Sequence, residues 1–287
     1  MSTCAIGWSR RASLTHPPDR LALMVDSPLL FVGAGALVGL MVGFTGVGGG
    51  SLMTPILVLG FGQVPTVAVG TDLVFAAVTK LAATGSFGHG RRVDWEVVRR
   101  LALGSVPGAA SVLGWLWFTR DAPPVMNRLV IHALAVMLLV SAAGLLFQVR
   151  LRRWGAPTSA ASLKATERFR PALTIAVGVV LGLAVTLTSV GAGALGVVAL
   201  LYLYPLRLPP DRLVATDIAH ALPLTIVAGL GHAALGHVDL KMLACLLLGS
   251  IPAVVIGSQT TIRIPPAVTR GLVAVMLMVV GVRILWT

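Results

Sequence analysis

The sequence predicts an all-α, polytopic transmembrane helical bundle of about eight spans in two homologous four-helix repeats, the first helix of each repeat broken by a glycine-rich segment. Three observations predict it. Of the 287 residues, 56% are hydrophobic and 11% charged, with a mean hydropathy of +0.93, far from the balance of a water-soluble domain. Apolar blocks of about 20 residues, the length that crosses a bilayer, recur along the whole chain. Five short motifs also return in the same order roughly half a chain later.

The apolar blocks lie near residues 29–60, 66–88, 97–118, 128–149, 171–205, 212–234, 241–261 and 267–286. Six have the length of single helices. The first and fifth are too long for one straight span, and they hold the glycine runs. Residues 1–27 read as a cytoplasmic tail without a signal-peptide core. Membrane repeat 1 follows at 28–149, then a basic cytoplasmic linker at 150–170 ("RLRRWGAPTSAASLKATERFR"), then membrane repeat 2 at 171–287.

Charge gives the expected orientation. If each block crosses once, fifteen Lys and Arg fall on the side of the two termini and six on the other, with Lys80 inside a block. That bias puts both termini in the cytoplasm, at the cell membrane. It also accounts for the formal net charge of +12 without nucleic acid as a partner. The linker's basic residues suit a solvated connection near anionic headgroups.

The repeat is the most informative feature. "TGVGGG" (45–50) aligns with "TSVGAG" (188–193) at an offset of 143. From there the offset is 145: Pro65 matches Pro210, Thr71 and Asp72 match Thr216 and Asp217, Val93 and Asp94 match Val238 and Asp239, and "LGSVP" (103–107) matches "LGSIP" (248–252). Four crossings per half give parallel halves, whereas an extra crossing at each glycine break inverts them. The charge count favours the parallel form, although a re-entrant break shifts the parity.

Within hydrocarbon an unpaired backbone group costs several kcal/mol, so non-helical chain is tolerated only where protein or a watery cavity surrounds it. "GVGGG" between Thr45 and Ser51 therefore reads as a broken helix, with a half-helix starting near Ser51 and its positive dipole end facing a cavity. The competing reading is close helix packing, as for Gly35 and Gly39 at a spacing of four. Substrate-binding candidates are Thr45, Gly48, Gly49, Gly50, Ser51, Lys80, Thr188, Ser189, Gly191 and Gly193.

Ionisable residues inside apolar blocks are expensive and are site candidates by default. Asp72 and Asp217, each after a threonine (Thr71, Thr216), are either anchors for the unwound glycine backbone or coupling groups for protons or a cation. Lys80 lies two turns past Asp72 on a similar face, and its repeat partner is Thr225. It therefore breaks the pseudo-symmetry, as a binding site does. His220, with His232 and His89, is first a core or interfacial histidine and second a pathway residue. "RRVDWEVVRR" (91–100) reads as interfacial, and Pro107 and Pro252 as packing residues that kink their helices.

The chain has two cysteines, Cys4 and Cys245, and no nucleophile elbow, Walker loop, HExxH or CxxC. No catalytic residue, metal or cofactor is expected, and the protein is not read as an enzyme.

"GFTGVGGGSLMTPIL" with "VGTDLVFAAVTK", "GHGRRVDW" and "LGSVPG" resembles the sulfite exporter TauE/SafE family of membrane permeases, over residues 29–286. The resemblance implies transport of a small, sulfur-containing anion such as sulfite or a sulfonate. It also implies that the segments Thr45 to Ser51 and Thr188 to Ala194 face the substrate path, with the TD pairs in the scaffold beside it. Where the family often has "TS", this chain has Thr71–Asp72 and Thr216–Asp217. The expected function is a secondary permease working by alternating access, with an anion channel or a non-transporting membrane scaffold as alternatives. Its expected partners are the anion, the lipid bilayer and protons or a coupling cation; a homo-oligomer is compatible with the sequence.

Overall fold

The structure is a computed structural model that describes residues 28–45, 50–87, 93–119, 131–133, 135–144, 146, 160–191, 193–205, 207–259 and 266–286. Described residues form helices and connections without strands. The helices are α1 (Pro28–Thr45), α2 (Gly50–Pro55) running into a π-helical turn (Ile56–Gly60), α3 (Pro65–Phe87), α4 (Trp95–Phe118), α5 (Ile131–Gly144), α6 (Ala160–Thr188), α7 (Ala194–Leu203), α8 (Pro210–Ala234), α9 (Leu240–Gln259) and α10 (Pro266–Leu285). Five of them, α3, α4, α6, α8 and α9, are long and apolar enough to cross a membrane, and α1, α5 and α10 supply shorter apolar helices.

Local chemistry explains the boundaries. Pro65 and Pro210 open α3 and α8, where the missing N–H costs nothing. The Asp94 carboxylate caps α4 by accepting from the Val97 N–H at 3.3 Å. Helix α6 starts at Ala160, inside the segment read as linker, where "AASLKATERFR" is rich in the strong helix formers Ala, Leu, Lys, Glu and Arg. Pro107 and Pro252 sit inside α4 and α9, which run on past them.

The two halves of the chain interleave. Helix α1 packs along α9, and α6 along α4, while α3 and α8 meet between them. Glycines set both tight contacts: a Cβ at Gly35 would overlap the Leu246 carbonyl and one at Gly249 the Val32 carbonyl. At the other contact, a Cβ at Gly104 would overlap the Ile175 carbonyl and one at Gly178 the Leu101 carbonyl. Backbone thus lies on backbone, the close approach that small residues permit in membranes. In both pairs residue numbers rise together, so the paired helices run parallel.

A second reciprocal contact joins the halves. The Asp94 N–H donates to Thr216 Oγ1 at 3.1 Å, and the Asp239 N–H donates to Thr71 Oγ1 at 3.1 Å. These residues are repeat partners, so the threonine of each TD pair holds the start of the third long helix of the other half.

The long first and fifth blocks do not cross once each. The Phe31 ring stacks on Phe61 with centroids 4.5 Å apart, so the chain leaving α2 returns to the level where α1 begins. Thr174 Oγ1 and Tyr204 Oη are 2.9 Å apart, which returns the end of α7 to the level of Thr174, near the start of the apolar part of α6 at Phe169. Ten residues of helix reach about 15 Å, half the hydrocarbon thickness, so α7 cannot complete a crossing. The count that put residues 93–100 and 207–212 on opposite sides fails for this reason: Arg207 pairs with Asp94 at 2.7 Å. Helices α1, α3 and α9 start at one face, and α4, α6 and α8 at the other. Helices α1 and α6 therefore run in opposite directions, an inverted rather than parallel relation.

Apolar side chains such as Leu37, Leu103, Val180, Leu230, Leu248 and Val279 point outward and are exposed. In water this surface would aggregate, whereas in a bilayer it is the lipid contact.

Candidate functional site

The break in the second half comes to α3, where Ser189 lies beside Asp72. Helix α6 ends at Thr188, whose hydroxyl donates to the Ala184 carbonyl at 2.7 Å and accepts from the Val190 N–H at 3.2 Å. Ser189 then takes a left-handed backbone, φ 57°, and Gly191 has φ 111°. For serine that conformation is strained, a feature that clusters at functional positions. Helix α7 restarts at Ala194 after buried Gly193. In the first half α1 ends at Thr45 and α2 begins at Gly50, followed by Ser51. Gly48 and Gly49 lie outside the described residues, as do Gly46, Val47 and His89.

Each TD aspartate packs on the short helix of its own half. Asp72 Oδ2 accepts from the Thr54 N–H at 3.0 Å and from Thr54 Oγ1 at 2.5 Å, tying α3 to α2. Asp217 Oδ1 lies against the backbone of Gly196 in α7, where any Cβ would strike the carboxylate. Asp217 receives no hydrogen bond among the described residues, because the residues matching Thr54 at the two repeat offsets, Val197 and Ala199, cannot donate from their side chains.

Lys80 joins the two halves. The residue is 4% exposed, and its ammonium interacts electrostatically with Asp72 from its own helix and with Asp217 from α8. His220, one turn beyond Asp217 and fully buried, also faces Lys80, and its Nε2 lies 2.9 Å from Ser105 Oγ of α4. Ser189 sits beside the Asp72 carboxyl group without completing a hydrogen bond. Four polar atoms of this cluster are buried without a hydrogen-bond partner among the described residues: Asp72 Oδ1, Asp217 Oδ1, Ser189 Oγ and His220 Nδ1. Such groups are costly in a low-dielectric interior, so an occupant that binds them is expected.

The structure thus brings together Lys80, Ser189, Asp72, Asp217 and His220. Thr71 and Thr216 instead hold the halves together, and the Thr188 hydroxyl is spent on its own helix end. His232 Nε2 lies 2.9 Å from the Thr186 carbonyl oxygen, a core role. Sequence reading missed Thr54 and Ser105. Both had a signal: Thr54 is a lone polar residue in the apolar run 52–60, and Ser105 is the polar member of a repeated motif. Among the described residues no group of three or more His, Cys, Asp or Glu side chains could hold a metal ion.

At the α6 face Arg207 closes an ion network, with Nε 2.7 Å from Asp94 Oδ2 and Nη2 2.6 Å from Glu96 Oε2; Glu96 also pairs with Arg100. The Glu96 hydrogen bond, with Asp94 adding to it, holds the guanidinium above its ordinary pKa. This network ties the end of α7 to the start of α4.

A helical bundle with a lipid-facing exterior, two broken helices and a buried ammonium between two carboxylates is the construction of a membrane transporter. The chain belongs to the sulfite exporter TauE/SafE family, whose model matches residues 31–284. It is 38% identical over 251 residues to the probable membrane transporter protein YjnA of Bacillus subtilis (strain 168), covering 88% of this chain and 97% of that one. The probable membrane transporter protein YdhB of the same organism is 24% identical over 250 residues, covering 87% and 97%. No solved structure matches the chain.

Proposed function

We propose that the protein moves a small, sulfur-containing anion across the cell membrane as a secondary permease working by alternating access. One observation carries the reading: Lys80, buried between Asp72 of its own helix and Asp217 of α8, stands among orphan polar atoms from both halves. The anion takes the Lys80 charge and the Ser189 hydroxyl. The inverted directions of α1 and α6 supply two matched gates, and rocking of one half against the other opens each in turn. In proteoliposomes, sulfite, thiosulfate and methanesulfonate uptake is expected to saturate and to be accelerated by the same anion inside. Uptake that never saturates would indicate a channel, and no uptake of any of the three would leave a non-transporting scaffold.

The inverted arrangement changes the orientation. If each connection stays at the face where its flanking helices end, fourteen Lys and Arg fall on the α6 side: Arg91, Arg92, Arg99 and Arg100, the six at 150–170, and Arg207, Arg212, Arg263 and Arg270. Seven fall on the α1 side: Arg10, Arg11, Arg20, Arg120, Arg128, Lys241 and Arg283. The positive-inside rule then keeps the 150–170 linker cytoplasmic and sends both termini outside, the reverse of the single-crossing count. Arg99 and Lys241 are both exposed, one at each face. With Cys4 and Cys245 replaced by serine, a membrane-impermeant maleimide is expected in intact cells to label Lys241→Cys and to label Arg99→Cys only after permeabilisation. The opposite pattern restores cytoplasmic termini.

A further inference from the structure

We propose that Asp217 is the proton carrier of this site, so that one proton travels with each monoanion bound at Lys80; the assignment rests on the anion reading above. Three observations carry it. First, the two aspartates are not equivalent. Asp72 Oδ2 is fixed by two hydrogen bonds from Thr54, whereas Asp217 has none among the described residues, and its Oδ1 is buried without a partner. Asp72 is built as an anchor and Asp217 is left available. Second, Lys80 interacts with both, and its repeat partner is the neutral Thr225, so the only charge that can balance Asp217 from α3 is the one an incoming anion must claim. Third, the surroundings supply no substitute.

The groups facing Asp217 can be named element by element. Helix α3 offers Lys80, with Asp72 beyond it, and α8 itself offers His220, whose Nε2 is engaged with Ser105 of α4. Asp94 at the start of α4 reaches the neighbouring Thr216, but Arg207 neutralises it. Helix α7 presents the Gly196 backbone, and its described residues carry no charged side chain.

The charge balance follows. The empty site holds two carboxylates and one ammonium. When a monoanion draws the Lys80 ammonium to itself, an ionised Asp217 would be left buried and uncompensated, which is strongly unfavourable. Transfer of one proton from a hydronium ion breaks its O–H bond, leaves water, forms one O–H bond at Oδ1 and returns the site to its original net charge. Release of the anion returns Lys80 to the carboxylates, and the proton leaves. A sodium ion at the same point would face the ammonium directly.

The test is uptake of radiolabelled methanesulfonate, which stays a monoanion across the working pH range, so any pH response belongs to the protein. A gradient of one pH unit, acid outside, is expected to sustain about ten-fold accumulation in wild-type proteoliposomes, the limit for one proton per anion. In Asp217→Asn that accumulation is expected to disappear, while isotope exchange, which needs no net proton movement, stays measurable. Asp217→Glu is expected to retain accumulation, so a poorly folding Asn variant does not decide the outcome. Lys80-dependent uptake that ignores the pH gradient, or follows a sodium gradient, overturns the proton assignment alone. Absence of Lys80-dependent uptake removes the transport reading and the proton assignment together.

Discussion

Replacing Lys80 with alanine is expected to reduce saturable anion uptake about 100-fold or more, the loss that follows from removing a charge-assisted contact worth about 3 kcal/mol. The same change strands Asp72 and Asp217 in the interior without their shared counter-charge. Breaking a buried ion pair costs about 3–5 kcal/mol, so this variant will also be less stable. Loss of flux and loss of fold are separated by a second variant. Lys80→Ala with Asp217→Asn removes one charge of each sign, and its melting temperature in detergent is expected to recover most of the loss. Its uptake is expected to stay at background. A double variant that melts like the wild type and still takes up anion at the wild-type rate would remove Lys80 from the site.

The second large effect concerns architecture. Gly104→Leu or Gly35→Leu is expected to destabilise the protein by more than about 3 kcal/mol, beyond ordinary overpacking. The added atoms meet the carbonyls of Ile175 or Leu246, which belong to rigid helix backbone and cannot swing aside. Gly33 lies in the same helix as Gly35 with nothing within 4 Å of a Cβ, so Gly33→Ala should leave the melting temperature nearly unchanged. Equal melting of Gly33→Ala and Gly35→Leu in detergent would show that α1 does not rest on α9 in the folded protein.

Much of this was legible in the sequence for identifiable reasons. A run of apolar residues has few fates, and hydropathy alone reads "LLFVGAGALVGL" or "LVAVMLMVVGV" as helix in lipid. The break in the second half was legible because the glycine run returned as "TSVGAG", and the structure ends α6 at Thr188 where that motif begins. Asp72, Lys80 and Asp217 stood out because charge in an apolar block is rare. Thr54 and Ser105 carried the same chemistry quietly, since single hydroxyls in apolar helices are common.

Sidedness was not legible, and the cause is specific. A ten-residue helix after a glycine break can go on across the bilayer or turn back, and its sequence is apolar in either case. The pairings of Tyr204 with Thr174 and Arg207 with Asp94, and of Phe61 with Phe31, show that it turns back. That single fact inverts one half relative to the other.

By itself the sequence determined the class of fold, the position of the breaks and the identity of the buried charges, because each follows from local composition and period. The tertiary structure decided which charges meet. Lys80 and Asp217 are 137 residues apart, and they become neighbours only because parallel helices from opposite halves interleave through glycine contacts. It also decided that the TD threonines clasp the halves while the aspartates part company, one tied to Thr54 and the other left open. Those outcomes depend on distances between segments remote in the chain, which no local pattern of residues encodes.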